Sequence, residues 1–195
     1  MLQRILVLFI LMTTSTSLIN AQVNKMFQTV KPSKATLVKT DSSKDFCNVC
    51  GMHLTKYYKT NHATTFKNDK KEQYCSIRCQ AHVHNDHALK IKQIDVVDTK
   101  SLKLIDAKSA IYVVGSSKKG TMSPVSKYAF EDKEDALDFQ KKFGGEIHSF
   151  EETLKIAKAS LSKDTIAVTK KRVSMARKGK KIYLSMCKQD KFPEF

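Results

Sequence analysis

Alternating and continuous runs of apolar residues predict a series of short strands and helices along most of this chain. Residues 56–66 are rich in aromatic and β-branched side chains and predict a strand. A polar turn at 67–70 and a short return strand over 72–75 follow. Ser76 then precedes a predicted helix through Leu89, with Ser76 as its N-cap. The pattern therefore indicates a hairpin followed by a helix.

A second group of elements follows with equally short connections. Strands are predicted over 91–97 and 102–105, and the apolar run 110–114 predicts a buried strand. The remaining elements are strands over 127–130 and 146–149, an amphipathic helix over 132–143 that Gly144 and Gly145 end, and a helix that begins at Phe150. Strands and helices that alternate with short connections predict an α+β fold.

The two ends of the chain differ from this middle part. Residues 1–21 combine Arg4, an apolar run too short to span a bilayer and a small, polar end, which is typical of a secretory signal. No later stretch is apolar enough to cross a membrane, so we expect an exported, soluble protein. Residues 22–45 are polar and are interpreted as a linker before a domain at 46–163.

Two closely spaced cysteine pairs carry the candidate chemistry. Cys47 and Cys50 have two residues between them, and Cys75 and Cys79 have three. Disulfides within such short loops add little stability, so the spacing favours metal ligation or redox chemistry. Four thiolates are typical of a zinc site that holds a fold together, and this interpretation stays open. As ligands, Cys47 and Cys50 are expected to act only while reduced.

Methionine and histidine residues extend the set of candidate ligands. Met52 lies two residues after Cys50, and Met122 lies on a glycine-flanked polar loop. A thioether is a good ligand for copper(I) and a poor one for zinc. Three histidines are interpreted as exposed, with one or two able to join a site: His82, His84 and His87. The predicted metal ligands are Cys47, Cys50, Met52, Met122, Cys75 and Cys79.

Positive charge is spread along the chain, and lysine is abundant after Asp164. The sequence has 35 Lys and Arg against 19 Asp and Glu, a formal net charge of +16. This balance suits an anionic membrane surface, an acidic protein partner or plain solvation, whereas an exported protein rarely meets nucleic acid. Residues 164–195 predict a basic, partly helical tail that docks weakly on a membrane or is solvated. We expect its removal to leave the metal site unaffected.

A run of ordered motifs extends over residues 46–153. It begins with a Cys-Gly-Met segment within 47–54 and an aromatic-x-Ser segment at Tyr74 to Ser76. It continues in order at 105–107, 110–116, 120–122, 129–130 and 135–139, and then at Gly144, Gly145 and Phe150. This run resembles the NosL family of nitrous oxide reductase accessory proteins. The resemblance implies a fold similar to organomercurial lyase, with paired ββαβ units. To these the residues themselves add a small cysteine knuckle and a basic helical tail.

The resemblance also implies a function. NosL-like proteins are periplasmic copper(I) chaperones of denitrification that supply nitrous oxide reductase and work with a membrane transporter complex. Cys50 and Met52 match the family motif, and Met122 matches its loop methionine. Cys75 and Cys79 are not part of the general motif and could form a second site. The residues contain no catalytic triad, phosphate-binding loop or paired carboxylates, so we expect a carrier rather than an enzyme.

Overall fold

The computed structural model describes the backbone of residues 26–187 and the side chains of residues 26–180. The predicted signal at 1–21 therefore lies outside the described residues. In the part of the chain that the structure describes, no helix combines the length and the apolar character needed to cross a bilayer.

Seven strands form two antiparallel sheets within the described residues. The first sheet, in the order β2-β1-β3-β4, contains β1 (His62–Phe66), β2 (Lys71–Tyr74), β3 (Ile91–Val97) and β4 (Leu104–Asp106). The second, in the order β6-β5-β7, contains β5 (Ile111–Val114), β6 (Lys127–Phe130) and β7 (Glu146–His148). In both sheets the first strand in sequence lies between the next two, and it pairs with each in antiparallel fashion.

Between residues 26 and 187, three α-helices complete the fold: α1 (Ile77–His87), α2 (Lys133–Phe143) and α3 (Phe150–Cys187). Helix α1 connects β2 to β3, and α2 connects β6 to β7. The chain thus contains two ββαβ units with the same strand order, β1-β2-α1-β3 and β5-β6-α2-β7. The predicted α+β fold of paired ββαβ units with a small cysteine knuckle and a basic helical tail is confirmed.

The main core joins the two units. Its buried side chains come from α1, β3, β5 and α3 and include Ile77, Ala81, Val96, Tyr112, Phe150 and Leu154. A polar contact adds to this apolar packing, because the buried His62 of β1 lies 3.1 Å from the Tyr112 hydroxyl of β5. A smaller aromatic cluster fills the second unit, where Phe139 packs on Tyr128 and Phe130. Both clusters bury apolar surface that would otherwise face water, the main favourable term in folding.

Two local predictions are wrong. The strand predicted over 56–66 begins only at His62, because Thr55–Thr60 forms a 3₁₀ helix. The Asn61 side-chain amide donates to the Tyr57 carbonyl at 2.8 Å, and Tyr58 turns into the core. The second error concerns Ser76, which occupies the N-cap position of α1 without a side-chain capping bond.

The described part of the predicted linker, residues 26–45, lies against the domain. Phe27 packs edge-on against Tyr128, with ring centroids 5.3 Å apart. The Val38 backbone amide donates to the Gln73 side-chain oxygen at 2.9 Å. Val30 is buried with Tyr58 in a small cluster of its own. These contacts give the segment fixed positions along the surface of both units.

Candidate metal centre

Cys47 and Cys50 lie on a tight hairpin that precedes the first sheet. A bridge between Phe46 and His53 closes it, and the Cys47 amide donates to the Met52 carbonyl at 2.9 Å. The Gly51 amide donates back to the Cys47 carbonyl at 2.9 Å, with Gly51 at a φ of +69°. Glycine adopts this left-handed conformation without the strain that a side chain would add. The hairpin, residues 46–53, is called the knuckle below.

Cys75 and Cys79 lie where β2 passes into α1. Cys75 follows the last residue of β2, and Cys79 lies in the first turn of the helix. The Thr60 hydroxyl lies 2.8 Å from the Cys75 carbonyl and 2.8 Å from the Thr121 hydroxyl. This buried contact joins the strand–helix junction to the loop that carries Met122.

Gln73 attaches the knuckle to the sheet. The Asn48 amide donates to the Gln73 carbonyl at 3.3 Å, and the Gln73 amide donates to the Asn48 side-chain oxygen at 3.2 Å. The Gln73 side chain is fully buried and donates to Thr36 and Asn61 at 3.2 Å each. The knuckle therefore pairs with the outer edge of β2, and this pairing holds the two cysteine pairs next to each other.

The four thiols converge on one point. All four sulfur atoms lie within 4.8 Å of one another. The Cys50 and Cys75 sulfurs are 3.5 Å apart, and those of Cys75 and Cys79 are 3.8 Å apart. Thiolates arranged as a tetrahedron around an ion at about 2.3 Å are separated by about 3.8 Å. The spacing therefore suits one shared metal ion, and both cysteine pairs belong to a single centre.

Burial separates Cys50 from the other three thiols. Cys47 is 3% exposed, and Cys75 and Cys79 are fully buried, whereas Cys50 is half-buried. Apolar side chains surround the group, among them Leu54, Phe66, Tyr74 and Val83. An ion held here is shielded from water on most sides, and Cys50 offers the most accessible donor.

Both predicted methionine ligands lie in the same apolar cluster as the thiols. Met52 is half-buried and packs against it, and Met122 is one of its buried members. Met122 adopts a φ of +59°, which is uncommon for a residue with a side chain. The structure thus gathers the six predicted ligands in one region, with the four cysteines at its centre.

The three predicted candidate histidines lie apart from this centre. His82 is exposed and lies 3.3 Å from the Asp86 carboxylate. The ring of His84 lies 3.0 Å from the Lys158 ammonium group, and His87 is exposed. The four cysteines are the only group of three or more His, Cys, Asp or Glu in the described residues that could share one ion.

Close contact between the four thiols lowers the pKa of two of them and raises the pKa of the other two. Hydrogen bonds from Cys50, Cys75 and Cys79 hold the pKa of Cys47 far below its ordinary value. The contact with Cys47 raises the pKa of Cys50, but hydrogen bonds from Cys75 and Cys79 together outweigh it, so the pKa of Cys50 is lowered. The pKa values of Cys75 and Cys79 are raised, because these thiols donate to the more acidic pair and are buried. A metal ion that binds all four sulfurs must displace these protons, so its apparent affinity rises with pH.

Helix α3 runs through the predicted tail boundary and reaches the knuckle. Val168 packs against the cysteine cluster, and the Arg172 guanidinium donates to the Cys50 carbonyl at 3.3 Å. Farther back, the Arg78 guanidinium donates to the Thr165 hydroxyl. The tail thus contacts the metal centre, which argues against the expectation that its removal leaves that centre unaffected. The sequence pattern alone did not indicate the contacts of Arg172, Thr60 or Gln73, since their partners are distant along the chain.

Comparison with known proteins relates this centre to one family. A search of curated proteins finds no match. Among solved structures, the chain is similar to the copper chaperone NosL from Shewanella denitrificans, with 26% identity and a TM-score of 0.49 over 58% of this chain and 92% of that one. The family model described as NosL matches residues 38–157. Because that match spans more than half of the 195 residues, the chain belongs to the NosL family.

Proposed function

We propose that this chain carries copper(I) and delivers it for the maturation of nitrous oxide reductase, as an exported periplasmic accessory protein rather than an enzyme. The observation that supports this most directly is the thiol cluster itself. Four sulfur atoms lie within 4.8 Å of one another in a chain of the NosL family. Copper(I) is the cargo in this proposal, and the protein's task is to hold it and release it.

The donor set favours a soft ion. Thiolates and thioethers together suit copper(I), whereas zinc gains little from a thioether. Met52 and Met122 border the thiols in the same apolar cluster. Surrounding apolar side chains limit the access of water and other reactants to the sulfurs. This combination supports tight binding of copper(I) over harder ions such as magnesium or calcium.

Unequal burial supports a route for release. A partner that takes the ion must add its own ligand before the last protein ligand leaves. Cys50 is the half-buried thiol, and Met52 beside it is half-buried as well. Transfer would begin at Cys50, while the buried Cys47, Cys75 and Cys79 hold the ion until a partner thiolate has bound.

Competition between metals tests the proposed cargo. The chain from residue 22 onward, kept reduced and free of oxygen, is offered copper(I) and zinc together. We expect copper(I) to displace zinc, and Met52→Leu and Met122→Leu to weaken copper(I) binding several-fold with little effect on zinc. Met175→Leu serves as a control, since Met175 is an exposed methionine on α3. Stoichiometric zinc that copper(I) cannot displace would contradict the carrier.

A structural or sensory zinc module that mediates protein contacts is the second candidate. The observation in its favour is that three of the four thiols are buried, and the sulfurs of two of them, Cys75 and Cys79, are 3.8 Å apart, a separation suited to tetrahedral zinc. A structural zinc ion contributes directly to folding free energy. In that case Cys50→Ser unfolds the knuckle and lowers the thermal midpoint strongly. For a carrier we expect Cys50→Ser to weaken copper(I) binding while the metal-free fold persists.

Delivery to nitrous oxide reductase and its membrane transporter complex rests on family membership. A denitrifying bacterium that lacks its own NosL-family protein provides the test. We expect this chain, with its N-terminal segment intact, to restore the copper content of the reductase, and Cys50→Ser to fail. Export is checked by locating the chain in the periplasmic fraction. A chain that is exported and loaded with copper but restores nothing would point to a different acceptor.

A further inference from the structure

The part of α3 beyond Asp164 has two distinct sides. Its inner side faces the knuckle through Val168 and Arg172. On the opposite side, residues spaced by four, three, four and three positions fall along one line of a helix. This outer stripe comprises Ile166, Lys170, Val173, Arg177 and Lys180, and all five residues are exposed.

All the charged residues of this segment, 165–180, are cationic. Residues 165–180 contain no Asp or Glu and contain six cationic residues: Lys170, Lys171, Arg172, Arg177, Lys178 and Lys180. None of these six forms an ion pair within the described residues, whereas Lys70, Lys92 and Lys100 each pair with a carboxylate. The positive charge of the segment is therefore not neutralised by ion pairs over about four turns of helix.

Apolar side chains lie among these cations. Ile166 is 69% exposed and Val173 is 43% exposed, although both are β-branched residues that usually favour burial. The cations alone would suit any polyanion, including nucleic acid or an acidic protein. The boundary of an anionic bilayer offers both phosphate groups for the cations and acyl chains for the apolar side chains.

We infer that the outer stripe of α3 docks this chain on an anionic membrane surface, with the helix lying in the plane of the headgroups. The inference is independent of the cargo proposed above. A helix with its side chains is about 10–12 Å across, so the knuckle on its inner side would lie about that far from the headgroups. Docking would thus leave the metal centre outside the lipid while it limits diffusion of the chain to two dimensions.

Vesicle binding tests the inference. The chain from residue 22 onward retains every described residue and is sedimented with vesicles of phosphatidylcholine alone or mixed with phosphatidylglycerol, at low and high salt. We expect binding only to the mixed vesicles and a steep fall with salt. Removing three cations with Lys170→Gln, Arg177→Gln and Lys180→Gln should lower the partition coefficient about 100-fold at low salt, since each cation contributes roughly fivefold.

Two further variants separate docking by the stripe from attraction by net charge. Lys31→Gln, Lys34→Gln and Lys56→Gln remove the same charge from exposed positions elsewhere, and we expect nearly unchanged binding. Ile166→Ser with Val173→Ser keeps every charge, and we expect a loss of about tenfold or more. Equal losses in the two charge variants, or no loss on removing the two apolar residues, would overturn the inference. Tighter binding to soluble polyglutamate or heparin than to vesicles would also overturn it and identify an acidic macromolecule as the partner.

Discussion

The two ββαβ units share a backbone plan but differ at the junction between the second strand and the helix. Two residues separate β2 from α1, and two separate β6 from α2. Cys75 follows β2 where Glu131 follows β6, and Cys79 occupies the third helical position where α2 has Asp135. The same places thus hold clustered thiols in one unit and carboxylates in the other.

This difference shows that the backbone of the strand–helix junction determines where two side chains lie, whereas the identity of those side chains determines what they can bind. In the second unit, the half-buried Asp135 makes an ion pair with the exposed Lys100 near the start of α2. In the first unit, the knuckle and the inner side of α3 cover the junction and turn it into an enclosed site. Fold similarity alone does not carry a function between the two units, as expected for sites built on common folds.

The largest expected effect comes from replacing the side chain that follows the second strand in each of the two units. Cys75→Ser removes a fully buried donor from the centre, so we expect metal affinity to fall by about 1000-fold or more. Glu131→Gln at the matching place in the second unit should leave affinity unchanged. Competition with a chelator of known affinity measures both. A comparable loss in the two variants would mean that the junction acts through stability rather than ligation.

A second expected effect concerns how each unit is held together. Gln73→Ala removes a fully buried amide and its bonds with the Thr36 carbonyl, the Val38 backbone amide and the Asn61 side-chain oxygen, so we expect a loss of about 4 kcal/mol in the free energy of unfolding. In the second unit Gln140 makes one side-chain bond, to the Gly145 carbonyl, and Gln140→Ala should cost about 1 kcal/mol. Urea denaturation of the reduced chain measures both, and equal losses would contradict the role of Gln73.

The pH dependence of stability should be traceable to the first unit, where β1 begins with His62 while β5 begins with Ile111. Burial lowers the pKa of His62 from 6.5 to about 4. Between these values the unfolded chain binds the extra proton and the folded chain does not, so stability falls as pH drops from about 6.5 to 4. The loss at this one group is at most about 3 kcal/mol.

Denaturant unfolding across that pH range checks the effect of His62. His62→Gln should flatten the slope between pH 6.5 and 4 even though it lowers stability at neutral pH. His84→Gln is the control, because burial also lowers the pKa of His84 but its ring stays partly exposed. An unchanged slope in the His62 variant would assign the acid sensitivity to other groups.

The smallest expected effect concerns the contact between α3 and the knuckle of the first unit. Arg172→Met removes the donor to the Cys50 carbonyl and a positive charge near a cluster of thiolates. Since the side chain is exposed, we expect metal affinity to fall only about two- to fivefold. Lys171→Met removes an adjacent charge without that contact and should have a smaller effect. Equal effects would indicate general attraction rather than the specific contact.

The sequence predicted most elements whose apolar pattern is regular. Helix α2 begins and ends within one residue of its prediction, and the buried strand before Gly115 is present. The Thr55–Thr60 turn was missed because its aromatic residues have strand propensity, whereas hydrogen bonds from Asn61 and burial of Tyr58 decide the structure. Local propensity is overridden where a side chain finds a distant partner, as the Tyr58 hydroxyl does when it donates to the Leu102 carbonyl at 3.1 Å.

The candidate site was predictable in its donors but not in its surroundings. Cysteine spacing indicated thiol ligands, thioether chemistry added Met52 and Met122, and the family resemblance matched both methionines to its motif. The unequal burial that isolates Cys50, and the contact of Arg172 with it, depend on how α3 crosses the knuckle. No local sequence pattern predicts such a crossing, because the knuckle and the crossing part of α3 are more than 100 residues apart along the chain.

The closeness of Cys50 to Cys75 has a consequence for the timing of metal loading. Their sulfurs are 3.5 Å apart although they belong to different pairs. An oxidant can therefore link the knuckle to the strand–helix junction as well as link Cys47 to Cys50. Either disulfide removes two of the four donors at once, and a bound ion protects them all by occupying the thiolates. In an oxidising environment the arrival of the ion and the arrival of the oxidant are thus competing reactions, and the faster one decides whether a newly folded molecule becomes a carrier.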